Sequence, residues 1–303
     1  MMGTKKIVIL KTVLDGLMSR YQERVPDVQA IIDKMIEKGI IASADEIQND
    51  HIAFRTMGVE NLGIASLEKI FLHLGYKKRD HYQFPVKKLA AYWYSPPQNN
   101  FPRIFISQLM VDQLSEKSQA IIRSYTNEVG QDPVDKLNLD NPAQVDDFLH
   151  QPLWRIPSWE DYQSLARESE YAAWVIYNRY YLNHFTISVH NLKDGYQTIS
   201  LFNQFLEENG FQLNDSGGKI KTSRDGLLIQ SSTVAEMIEA EFSSKKGKQV
   251  KKKIPGSYVE FAERRLLSPE GDQHGERRDG FEVGNANRIF ESTYKKQTRR
   301  RDD

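Results

Sequence analysis

Seven histidines and no cysteine stand in a chain of 303 residues, so any metal it holds rests on imidazole nitrogen and carboxylate oxygen. Two of the histidines have matched surroundings. His51 opens the string HIAFRTM and His184 sits in YLNHFTISV, both of which read as strands. A helical pattern follows each and closes at glycine. His51 and Gly75 are 24 residues apart, His184 and Gly210 are 26 apart, and an aromatic comes next, Tyr76 and Phe211. This repeat of layout puts the two imidazoles at equivalent points. A third donor comes from SYVEFAER, where Glu260 shares a strand face with Tyr258 and Ala262; Glu263, on the opposite face, and Glu241 are its rivals. Two neutral imidazoles and one carboxylate on one side of an ion leave coordination positions open. That is the donor set of non-haem Fe(II) oxygenases, in which substrate and O2 both need room at the metal.

Arg55 is four residues after His51, on the same strand face and about 13 Å along it. Its planar fork matches a carboxylate bidentately, so a long side chain there can reach a ligand already on the metal; a surface ion pair is the alternative on spacing alone. The other five histidines read as structural or exposed: His73 in a helix, His81 in a strand, His150 and His274 in loops, and His190 on the face of His184 if that strand continues.

Two amphipathic helices lead up to these residues, with Val13, Leu14, Leu17, Met18 and Tyr21 on one and Val28, Ile31, Ile32, Met35 and Ile36 on the other, parted by Pro26. After His51 the order is strand, helix over 62–74, then strands Tyr76–Phe84, Leu89–Tyr94 and Arg103–Met110. A region broken by prolines, from about Ser115 to Arg179, is again helical, and its Trp154, Trp159 and Trp174 read as packing residues. The first pattern then returns: strand Tyr181–Val189, helix Tyr196–Glu208, and strands at Phe211–Leu213, Gly226–Ser231 and Ser257–Arg264. The fold class is therefore α+β, with two βαβββ modules forming a curved sheet around a metal pocket and added helical regions. The expected divisions are 1–50 (N-terminal helices), 51–112 (first module), 113–179 (helical insertion), 180–265 (second module) and 266–303 (C-terminal loop and basic tail).

Lys plus Arg equals Asp plus Glu at 41 each, which argues against a nucleic-acid or membrane-surface binder. The basic stretches Lys245–Lys253 and Lys295–Arg301 read as solvated surface and a frayed tail. The early apolar run Ile7–Leu10 is too short for a secretory signal, no stretch approaches a membrane span, and a cytoplasmic protein is expected.

Four strings add a family resemblance. HIAFRT (51–56), NHFT (183–186), YVEFAER (258–264) and RRDGFEVGNANRIFEST (277–293) together resemble the family formerly known as DUF1338. Its characterised members are 2-oxoadipate dioxygenase/decarboxylases related in fold to the vicinal oxygen chelate superfamily. The resemblance implies an Fe(II) cofactor and the conversion of 2-oxoadipate, or a related 2-oxo dicarboxylic acid, with O2 to 2-hydroxyglutarate and CO2. It implies metal ligands at His51, His184 and Glu260 and a substrate-carboxylate arginine at Arg55. It also implies a C-terminal loop, GFEVGNAN, that closes the pocket and brings Gly284 and Asn285 to the substrate. The chain is shorter than the better-studied members, which bears most on the far end of the substrate pocket. The alternatives are a metal-dependent hydrolase or isomerase on the same scaffold, which would consume no O2, and a non-catalytic metal- or ligand-binding protein.

Overall fold

The computed structural model describes residues 3–243, 248–268 and 275–299, so His274 and parts of both basic stretches lie outside the described residues. The opening helices are α1 (Thr4–Arg24) and α2 (Pro26–Glu37). Pro26 occupies the first turn of α2, where its missing N–H would have had no helical partner. Helix α1 buries Ile9, Leu10, Val13, Leu14, Leu17 and Tyr21, whereas Ile36 of α2, expected on the apolar face, is exposed.

Strand β1 (Asn49–Gly58), helix α3 (Ile64–His73) and strands β2 (Lys77–Phe84), β3 (Leu89–Ser95) and β4 (Arg103–Met110) follow the sequence pattern closely. The helical stretch resolves into α4 (Glu116–Thr126), α5 (Pro142–His150), α6 (Trp159–Glu168) and α7 (Glu170–Asn178). The second half consists of β5 (His184–Ser188), α8 (Ile199–Glu208), β6 (Lys221–Thr222), β7 (Leu228–Ser232), a hairpin of β8 (Met237–Ser243) and β9 (Gln249–Pro255), and β10 (Tyr258–Arg264). Helices α9 (Val283–Ile289) and α10 (Lys295–Thr298) end the described chain.

Eight strands form one sheet in the order β2-β3-β4-β1-β5-β10-β7-β6. Each half has the same plan: its first strand runs parallel to its last, and the inner strands zigzag outward. The two first strands, β1 and β5, pair antiparallel at the centre, with Ala53 opposite His184. The repeat extends to its hydrogen bonds. Gly75 (φ 91°) and Gly210 (φ 86°) are both left-handed, and the next N–H reaches back to close each helix, Tyr76 to Phe71 O and Phe211 to Leu206 O, both at 3.0 Å.

Three details differ from the sequence pattern. Strand β5 stops at Ser188 and the chain turns into a 3-10 helix, Val189–Asn191, which takes His190 off the strand. At Phe211–Leu213 there is a single bridge, Leu213 to Thr233, in place of a strand. The β8–β9 hairpin is inserted between β7 and β10 and forms a separate two-stranded sheet, joined to the rest among the described residues by a single β-bridge from Ser243 to Ser158.

Helix α6 is tied to the start of α4 by Glu168, whose carboxylate accepts from Ser115 N (2.9 Å), Ser115 Oγ (2.6 Å) and Ser118 Oγ (2.6 Å). The Ser115 and Ser118 hydroxyls lower its pKa from 4.5 to about 2. A depressed carboxylate stabilises the fold above its unfolded pKa, and that contribution is lost as pH falls from about 4.5 to about 2. Because Glu168 is exposed and its charge is screened by solvent, Glu168→Gln is expected to destabilise the protein by no more than about 1 kcal/mol at pH 7, with the deficit closing toward pH 2, as read by urea melts across pH.

Candidate metal centre

His51, His184 and Glu260 come from three adjacent strands, β1, β5 and β10, and all are buried. His51 Nε2 and His184 Nε2 are 3.3 Å apart, His184 Nε2 is 3.1 Å from Glu260 Oε2, and His51 Nε2 is 3.5 Å from Glu260 Oε1. Three donors on one face of an ion at about 2.1 Å stand roughly 3 Å from one another, so this triangle has the size a metal requires. The rivals lie elsewhere: Glu263 accepts from Ile199 N at 2.9 Å on the other side of the sheet, and Glu241 is exposed on the hairpin.

Each donor is held from behind. His51 Nδ1 lies 2.8 Å from Asp50 Oδ1, and His184 Nδ1 lies 3.0 Å from Asn183 Oδ1. Both acceptors draw the ring proton to Nδ1 and leave the Nε2 lone pairs facing the triangle, as ligation requires. Gln230 Nε2 donates to Glu260 Oε1 at 2.6 Å. Asp50 is gripped by Arg264, Nε at 2.6 Å and Nη2 at 2.9 Å. Burial raises the Asp50 pKa, but Arg264, the His51 bond and Arg103 outweigh it and hold the carboxyl well below its usual range. Burial above all, with the nearby Arg55 charge, holds His184 well below the ordinary histidine value, which favours its neutral form.

Arg55 is fully buried among Tyr171, Trp174 and Phe290, with no ion pair to a carboxylate among the described residues. Nη1 donates to Thr293 Oγ1 at 2.9 Å and Nη2 to Phe290 O at 3.0 Å, while Nε has no acceptor within hydrogen-bond geometry among the described residues, the Tyr258 hydroxyl being nearby. A buried guanidinium with a free donor is costly unless an anion arrives to meet it.

Residues from five neighbouring strands line one cavity, namely Phe105, His51, His184, Glu260 and Gln230, which requires the sheet to curl. The C-terminal segment closes it with Phe281, Ala286, Ile289 and Phe290. Phe281 stands edge-on to the His51 ring, centroids 4.8 Å apart. The string GFEVGNAN, expected as a loop, is largely helix α9. Gly284 is exposed on it, and Asn285 is buried with its amide nitrogen 2.9 Å from Gln230 Oε1.

This arrangement meets a matching set of relatives. The profile of the 2-oxoadipate dioxygenase/decarboxylase family matches residues 13–276. The chain belongs to this family. A family relative, the chloroplastic 2-oxoadipate dioxygenase/decarboxylase of Arabidopsis thaliana, is 43% identical over 96% of this chain and 79% of its own length. The crystal structure of the Oryza sativa hydroxyglutarate synthase in complex with 2-oxoadipate has a TM-score of 0.85 at 42% identity, covering 98% of this chain and 96% of that one. A glyoxalase-superfamily protein of Ralstonia eutropha shares the fold, with a TM-score of 0.71 at 20% identity over 88% of this chain and 84% of that one.

Sequence reasoning missed Asp50, Asn183, Gln230, Arg264 and Thr293. Asp50 and Asn183 directly precede the two histidines, and Arg264 lies on the Glu260 face by strand alternation, so part of the supporting shell had a signal. Gln230 and Thr293 had none.

Proposed function

We propose that this protein is an Fe(II)-dependent dioxygenase/decarboxylase that converts 2-oxoadipate, or a closely related 2-oxo dicarboxylic acid, with O2 to 2-hydroxyglutarate and CO2. The observation that carries the reading is the convergence of His51, His184 and Glu260 within chelating distance beside a buried Arg55 that lacks an anion. Fe(II) held there would supply open coordination positions and the electrons that activate O2.

The chain's own residues do the rest. Asp50 and Asn183 fix the imidazoles, and Gln230 fixes the carboxylate. Arg55 offers its Nε edge to a substrate carboxylate and so sets which way the substrate lies. Phe105, Phe281, Ile289 and Phe290 keep bulk water from the reacting atoms. Gly284, on the outer face of the closing helix, belongs to the same substrate-covering element. The modules 51–112 and 180–265 each bring ligands, with 1–50 and 113–179 as scaffold and 266–303 as cover. We place the reaction in the cytoplasm; among the described residues no helix is long and apolar enough to cross a membrane.

The test is anaerobic reconstitution with Fe(II), followed by O2 uptake and CO2 release over a panel of 2-oxo acids. One O2 consumed per CO2 released, greatest with a six-carbon dicarboxylate, is expected. Turnover without O2 would instead make the protein a hydrolase or isomerase.

A further inference from the structure

The closing helix α9 reaches the carboxylate ligand through two amides whose orientations are forced. Asn285, Gln230 and Glu260 are all nearly inaccessible, at 2%, 3% and 1% exposure. Asn285 Nδ2 lies 3.2 Å from Lys221 O, 3.2 Å from Leu228 O and 2.9 Å from Gln230 Oε1. The two backbone carbonyls can only accept, so the amide of Asn285 presents nitrogen to this side, with one N–H shared between the two carbonyls and the other, at the shorter distance, for Gln230 Oε1. That nitrogen meets Gln230 through oxygen, which leaves the Gln230 nitrogen to donate to Glu260 Oε1 at 2.6 Å. Carbonyls of β6 and β7 thus set the polarity of the chain at one end, and a carboxylate reads it at the other. Glu260 also selects the Gln230 nitrogen, because an ionised carboxylate only accepts; without Asn285 the buried Gln230 Oε1 loses its donor, and the amide is held less firmly against Glu260.

We propose that Asn285 is a positioning residue for the metal carboxylate: it fixes the amide orientation of Gln230 and thereby the orientation of Glu260. It acts on the metal site through Gln230 and does not itself contact substrate. The proposal rests on the reading of His51, His184 and Glu260 as metal ligands. It also ties closure of the cavity to ligand geometry, because Ala286 and Ile289, which line the cavity, stand on the same helix as Asn285.

The experiment is a double-mutant cycle read by Co(II) titration of the metal-free protein, following the visible d–d bands, with Tm of the metal-free protein as the measure of folding. Asn285→Ala is expected to weaken Co(II) binding about 10-fold and Gln230→Leu about as much or more. The double variant should bind within about 2-fold of Gln230→Leu alone, because Asn285 has nothing left to orient. Equal losses from Asn285→Ala in both backgrounds would overturn the relay, since a merely structural role adds independently. Wild-type Co(II) affinity in Asn285→Ala with a raised KM for 2-oxoadipate would overturn it too, by making Asn285 a direct substrate contact. If Asn285→Ala does not fold, Asn285→Ser takes its place in the same cycle. A wild-type protein that binds no Co(II) would sink the metal reading itself, whereas wild-type binding with an unaffected Asn285→Ala sinks the relay alone.

Discussion

His184→Ala is expected to leave a folded protein whose kcat/KM for 2-oxoadipate is at least about 10³-fold below wild type, a loss of roughly 4 kcal/mol of transition-state stabilisation. The side chain is one of three groups placed to hold a metal ion, and losing it would leave two, too few for a face-capping geometry with defined open positions. Fe(II) or Co(II) retained after dialysis should fall to a small fraction of one equivalent. Folding should survive, because His184 is neutral and its backbone remains in the centre of the sheet, paired to β1 and β10. The ring also packs 4.8 Å from Tyr258, so a drop of a few degrees in Tm is expected from the cavity it leaves. His190→Ala is the control. That histidine sits in the 3-10 turn with its Nδ1 between Ala262 O and Arg264 N, outside the triangle, and its loss should cost stability but little activity. Full metal content and full turnover in His184→Ala would refute the assignment of the centre.

The grouping of His51, His184 and Glu260 was legible because a duplicated layout marks itself. Two histidines at the start of two similar strand–helix–glycine patterns predict each other, and the antiparallel pairing of β1 with β5 brings those strands together. Glu260 and Arg55 needed only the two-residue period of a strand. Asp50 was hidden by the same period, which puts it on the face opposite His51. The β1–β5 register shifts between Asn49 and Ile52, and within that stretch the Asp50 carboxylate lies 2.8 Å from His51 Nδ1. The one signal of Asp50 was its place directly before His51, matched by Asn183 before His184. Helix α9 was hidden by propensity: a string with glycine and two asparagines reads as loop, but burial of Asn285 and Ile289 overrides that preference. The β8–β9 hairpin was hidden because its lysines look like solvated surface. In the fold Lys251 and Lys253 stand in register with Glu241 and Glu239, cross-strand pairs that only the hairpin creates.

Arg55→Met separates function from stability in one substitution. It is expected to lower kcat/KM for 2-oxoadipate by about 10²–10⁴-fold, equivalent to roughly 3–5 kcal/mol for a desolvated charge pair left without one member. Metal affinity should not fall, since Arg55 is no ligand and its positive charge bears on His184. The Tm of the substrate-free protein should not fall. A guanidinium with no carboxylate partner carries a desolvation penalty, and an apolar side chain of similar length among Tyr171, Trp174 and Phe290 removes it. The groups it leaves keep a contact, because Thr293 Oγ1 lies 3.4 Å from Phe290 O. Arg55→Lys should behave differently on both counts. It keeps the charge but loses the fork, so activity should fall between those of wild type and Met, and the more strongly hydrated ammonium should lower Tm. If Met is as active as Arg, no substrate carboxylate meets this side chain. If Met lowers Tm by many degrees while activity falls only in proportion to unfolded protein, the buried guanidinium is a strut for the C-terminal segment. The two results are separable because the same guanidinium that bonds Phe290 O and Thr293 through its Nη atoms leaves Nε for the ligand.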